Sequence, residues 1–142
     1  VSRTQYESEA DLANERSAAE IIEPAWKVRL SKLPKSYGAD WIIEREGKCV
    51  GWGEFKKRNM RWGDYPTIML SVRKVADLIG LADVHGKAIF FVGVEDGLYF
   101  TEINPIEQYE IEFGGRTCKT RDRGDIEPVV KIPITKFRKI PT

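Results

Sequence analysis

The chain reads as an α/β protein. Two stretches have helical periodicity, and the runs between and after them look like short strands. Residues 4–23 are rich in helix formers and stop at Pro24. Residues 67–82 carry an apolar stripe at helical spacing, and residues 40–45, 49–56, 87–94 and 98–103 carry strand signals. A length of 142 residues with 42% apolar content suits one domain with a proper core, and no repeat, low-complexity tract or domain boundary interrupts it.

In the first helix Ser8, Leu12, Glu15, Ala19 and Ile22 share a face. An unpaired buried carboxylate is costly, so Glu15 either reaches water at the stripe edge or points as an acid into a site. Glu20 lies off the stripe and is left to solvent. Residues 25–36 are mixed and basic, and Pro34 marks a connection.

The strands Asp40–Arg45 and Cys49–Lys56 then form a hairpin. If Asp40 and Glu54 are to share a face, opposed residues must sum to 94. That sets Trp41 across from Gly53, Ile43 across from Gly51 and Arg45 across from Cys49, with Glu46-Gly47-Lys48 as a three-residue loop. A tight two-residue turn would put Asp40 on the wrong face. Large residues facing glycines also give the two strand glycines a purpose.

Asn59–Gly63 is a loop with Arg61 and Trp62 at its tip. The helix over 67–82 has a core face of Ile68, Val72, Val75, Leu78, Ile79 and Ala82, beside a polar stripe of Thr67, Ser71 and Lys74. Lys87–Val94 and Leu98–Ile103 flank the turn Glu95-Asp96-Gly97. Tyr109–Phe113 and Val129–Ile134 are further strand-like pieces, and Gly114–Asp125 between them reads as an exposed hairpin or loop.

The residues that carry chemistry are Asp40 and, after thirteen intervening positions, Glu54-Phe55-Lys56. Side chains at i and i+2 leave the same face of a strand roughly 7 Å apart, so Glu54 and Lys56 can look into one pocket. A carboxylate from a neighbouring strand would complete a hard, all-oxygen cation site. The second Glu-x-Lys triplet, Glu46-Gly47-Lys48, falls in a turn that does not hold its side chains on one face.

Composition excludes several alternatives. His85 is the single histidine, and Cys49 and Cys118 are in no metal-ligand spacing, so histidine-metal nucleases, zinc deaminases and Cys/His zinc modules lack their ligands here. Carboxylate and lysine chemistry is what remains. No apolar run approaches a membrane span and no secretory segment opens the sequence, so an intracellular protein is expected, without a membrane partner or an organic cofactor.

The net charge of +1 conceals segregation. Residues 1–23 hold six acids against two bases, and 95–112 hold six acids and no base. Residues 48–74 hold seven bases against two acids, and 116–142 hold eight against three. A basic face around the motif suits phosphate.

The order helix, acid-bearing strand, Glu-x-Lys strand, helix, strand resembles the core of the PD-(D/E)XK, or restriction-endonuclease-like, nuclease superfamily from about residue 10 to residue 103. The matching residues are Asp40 in Gly38-Ala39-Asp40-Trp41 and the pair Glu54 and Lys56 in Gly53-Glu54-Phe55-Lys56-Lys57, with Glu15 matching the first-helix acid of many members. Ala39 stands where the motif's proline would be. Within the superfamily the chain looks like the small nucleases of phages and mobile elements.

The resemblance implies an αβββαβ core with a central mixed sheet flanked by helices and extra C-terminal strands. One nuclease domain would span 1–142, with residues 104–142 as a basic extension. It also implies hydrolysis of DNA phosphodiesters with Mg²⁺ or Mn²⁺. The ion would be held by Asp40, Glu54 and the Phe55 backbone carbonyl, with Glu15 in reach, while Lys56 positions water or balances charge. Lys57, Arg58, Arg61, Lys74, Arg121 and Arg123 are candidate phosphate contacts, and Trp62 either stacks on a base or packs as a lid. A homodimer stays open, and a phage-encoded protein would act in the host cytoplasm. Two rivals stand beside this reading. One is a non-catalytic nucleic-acid-binding module with the same fold, and the other is a regulatory protein that binds partners through the acidic 95–112 strip.

Overall fold

The computed structural model describes residues 8–115 and 126–142. Helix α1 spans Glu9–Trp26 and starts at a capping box, with the Ser8 hydroxyl accepting from Asp11 N and the Asp11 carboxylate accepting from Ser8 N. The expected stop at Pro24 is wrong by two residues. A proline in the last turn removes one N–H and leaves few later residues to disturb, so the helix runs on to Trp26 and ends at Lys27, whose φ of 55° is left-handed. The Glu23 carboxylate then accepts from Leu30 N at 2.8 Å, tying the helix end to the next strand.

That strand is β1, Arg29–Lys32, in the segment read as a connection. β2 (Trp41–Arg45), β3 (Lys48–Lys57), β5 (Lys87–Val94) and β6 (Gly97–Ile103) match expected strands, with Gly97 belonging to the strand instead of the turn. The main sheet runs β1-β2-β3-β5-β6-β9, with β9 at Arg138–Lys139. β3 and β5 are parallel and the other neighbours antiparallel, so the sheet is mixed.

The hairpin between β2 and β3 keeps the expected pairs Trp41↔Gly53 and Ile43↔Gly51 but reaches them differently. Its turn is the two-residue Glu46-Gly47, with φ of 53° and 78°, and Arg45 faces Lys48 instead of Cys49. A tight turn should have slipped the register by one. A bulge in which Val50 is the extra residue cancels the slip, because Ile43 pairs with Gly51 while Glu44 pairs with Cys49. A side chain at Gly53 would meet the Trp41 and Phe91 rings at 3.0 and 3.1 Å, which is why glycine sits there.

The helix expected over 67–82 is divided. Thr67–Ser71 is strand β4, with Ile68 and Leu70 buried and Met69 exposed, and α2 follows as Val72–Val84. Ser71 ends the strand and caps the helix, its hydroxyl accepting from Lys74 N at 3.1 Å. β4 pairs with β8 (Ile126–Pro133), and β8 with β7 (Glu110–Gly115), giving a second, three-stranded antiparallel sheet. Ile134, expected at the end of β8, opens a short 3-10 turn, Ile134–Lys136. Most of the stretch read as an exposed loop, 116–125, lies outside the described residues.

Two cores line the main sheet. Ala18 and Ile22 of α1 pack on Trp41, Ile43, Phe55 and Phe91. Val75 and Leu78 of α2 pack on Phe90 and Val92, with Ile68 and Val130 of the second sheet closing that side. β5 is buried on both faces, which explains its almost continuous apolar run. No helix among the described residues is long and apolar enough to cross a membrane.

Candidate active site

Along β3, Gly53 and Phe55 face α1, so Glu54 and Lys56 emerge on the α2 side. Glu54 is only 1% exposed. Lys56 Nζ lies 3.6 Å from its Oε2, and Lys74 Nζ lies 3.4 Å from its Oε1. The cap at Ser71 sets Lys74 in the first turn of α2, where it leans over the strand. Burial raises the Glu54 pKa, the nearby Asp40 charge raises it further, and Lys74 and Lys56 pull the other way. The Oε1 atom is buried without a hydrogen bond of good geometry.

Asp40 sits just before β2 and is locked by its neighbours. Its Oδ2 accepts from Phe55 N at 2.8 Å, its own N–H donates to Gly53 O at 2.9 Å, and its carbonyl accepts from Leu33 N at 2.8 Å. The side chain thus takes over a ladder bond of β3 and is fixed beside Glu54. Its Oδ1 faces Lys32 Nζ at 3.7 Å, and that ammonium is 2.9 Å from Glu15 Oε1. Glu15 is therefore buried and ion-paired, not reaching water at a stripe edge.

The arrangement bears on metal binding. The donors are hard oxygens suited to Mg²⁺ or Mn²⁺, Glu54 keeps a buried oxygen without a good partner, and two carboxylates lie close enough to repel. The chemistry fits. The closed set of Asp40, Glu54 and Glu15 is not assembled, however: among the described residues no three His, Cys, Asp or Glu converge as a metal cluster. An ammonium group stands against each acid.

The other expected contacts divide. Lys57 and Arg61 are exposed near the end of β3. Arg58 donates from Nη2 to Met69 O at 3.0 Å, which ties β3 to β4, and burial lowers its pKa against the opposing pull of Glu54. Trp62 stacks on Tyr99 at 3.9 Å with planes 6° apart, and Phe137 meets it edge-on. Lys74, a candidate phosphate contact, faces Glu54. Arg121 and Arg123 lie outside the described residues. Sequence reading missed Lys32, for which the only signal was the basic character of 25–36.

Comparison with known proteins adds a decisive observation. Residues 1–140 match a family model described as "Phage putative PDDEXK endonuclease". The chain belongs to that family. The mixed sheet and two helices of the described residues are compatible with a nuclease-like fold, as expected of a PD-(D/E)XK phage family. No curated protein and no solved structure matches it.

Proposed function

We propose that this member of the PDDEXK endonuclease family is a divalent-metal-dependent deoxyribonuclease. In this reading α1, β1–β3, α2 and β5 form the restriction-endonuclease-like core, and residues 1–142 act as one nuclease domain. The observation that carries it is the buried Glu54 carboxylate, set between Lys56 and Lys74 and beside an Asp40 that is fixed by Phe55 N.

Asp40, Glu54 and the Phe55 carbonyl would hold Mg²⁺ or Mn²⁺, with Glu15 as a further oxygen donor. The ion supplies positive charge for the scissile phosphate and makes water easier to deprotonate. Lys56, 38% exposed at its side chain, orients the attacking water from the open side. Lys74 faces the same carboxylate from α2 and balances charge that develops on the phosphate. Lys57 and Arg61 hold the flanking backbone, which positions the duplex without reading its bases. Arg58 serves the fold first, through Met69.

One observation favours a rival, a DNA-binding module that keeps the fold without cleaving: each acid already has an ammonium partner. A cleavage panel of single-stranded, duplex, nicked and branched DNA with Mg²⁺ or Mn²⁺ separates the two. We expect cleavage that EDTA stops. Lys56→Ala should lower the rate by roughly a hundredfold or more and leave folding and DNA binding intact. Full activity in EDTA, or a Lys56→Ala rate within a few-fold of wild type, would contradict the mechanism.

A further inference from the structure

Lys32 ends β1 at the point where the main sheet meets α1. Its ammonium lies 2.9 Å from Glu15 Oε1 and 3.7 Å from Asp40 Oδ1, so one cation joins a helix to the residue that precedes β2. The two carboxylates are sheltered, at 10% and 18% side-chain exposure, while Lys32 is 37% exposed and reaches them from the solvent side. Lys56 and Lys74 address Glu54, whereas Lys32 addresses the other two acids of the site.

Two sheltered carboxylates that share one cation make a site for a small ion of greater charge. Lys32 offers a single positive charge on a flexible stem that can swing out to water. A divalent cation offers two charges to the same oxygens. The ammonium and the ion cannot both occupy the space between Glu15 and Asp40, so binding of one opposes binding of the other.

We propose that Lys32 is a positioning residue that holds the Glu15–Asp40 pair ready and competes with the divalent cation for the same oxygens, thereby setting the metal affinity of the site. The inference rests on the metal-dependent reading above. It adds that a divalent cation entering between Glu15 and Asp40 must displace the Lys32 ammonium.

The test is calorimetric titration of Mn²⁺ into the whole chain without nucleic acid, for wild type, Lys32→Met, Lys32→Arg and Lys48→Met. Lys48 is exposed beside the β2–β3 turn, so its variant removes the same charge away from the acids. Lys32→Met should bind Mn²⁺ roughly tenfold more tightly, since a competing charge within contact distance is gone. Its metal-free melting temperature should fall, and Mn²⁺ should raise it further than in wild type. Lys32→Arg should restore wild-type affinity, and Lys48→Met should not change it. If Lys32→Met fails to fold, Lys32→Gln serves the same comparison.

A purely structural lysine would lower the melting temperature but weaken or spare metal affinity. Unchanged or weaker Mn²⁺ binding in Lys32→Met, with wild type binding normally, would overturn this inference alone. A wild type that binds no divalent cation would overturn the nuclease reading and this inference with it.

Discussion

Glu54 sits in a place that suits its protonated form. Burial, helped by the Asp40 charge, raises its pKa above the ordinary carboxylate value. For an acid raised in the folded state, the stabilising contribution is complete below the unfolded pKa and is lost as pH rises through the folded pKa. The metal-free protein should therefore lose stability as pH rises above the normal carboxylate range. Glu54→Gln should remove that loss, giving a higher metal-free melting temperature than wild type at pH 8 and a gap that closes on acidification. Calorimetry across that range checks it, and a lower melting temperature for the variant at pH 8 would show that Lys56 and Lys74 outweigh burial. At this scale Asp40, Glu54 and Lys56 were legible because the spacing that joins them is local. Lys32 and the Lys74–Glu54 contact were not, because each depends on where a distant element lands.

Among the elements, the β2–β3 hairpin shows how a correct register can be reached by the wrong turn. The pairs Trp41↔Gly53 and Ile43↔Gly51 follow from matching bulk to glycine, a packing argument that survives any turn. The loop length does not follow, because a bulge at Val50 is invisible in a pattern of period two. The turn has a weak point. Glu46 adopts a φ of 53°, which favours Asn or Gly. Glu46→Asn should stabilise the protein by about 0.5–1 kcal/mol in a denaturant titration. A loss of stability would mean that the Glu46 side chain contributes to the hairpin. The misread helix over 67–71 has a different cause. Ile68 and Leu70 fit a strand, while Ile68, Val72, Val75 and Ile79 fit a helix, and five residues cannot decide between the two periods. Pairing with β8, far later in the chain, decides it.

For the whole molecule, the distribution of charge is less simple than the runs in the sequence suggest. Much of the acidic strip at 95–112 is matched internally: Glu102 faces Lys87 at 3.9 Å, Glu107 faces Lys136 at 2.6 Å, and Glu110 and Glu112 face Lys131 at 3.9 and 3.5 Å. That weakens the case for a free acidic docking face. It also means that Lys131 and Lys136, although basic, are largely spent within the protein. Lys57 and Arg61 are exposed near the end of the strand that carries Glu54 and Lys56, so a bound backbone should meet them first. Each phosphate contact that releases a counterion adds about 0.9 to the slope of log K against log salt on duplex DNA. Replacing Lys57 and Arg61 together by Gln, in a Lys56→Ala background and without divalent metal, should flatten that slope by up to about 1.8 in fluorescence anisotropy. Replacing Lys131 and Lys136 by Gln removes the same formal charge and should leave the slope nearly unchanged. Equal flattening by both pairs would mean that DNA feels only the net charge of the chain, and the duplex would then have no fixed place at the end of β3.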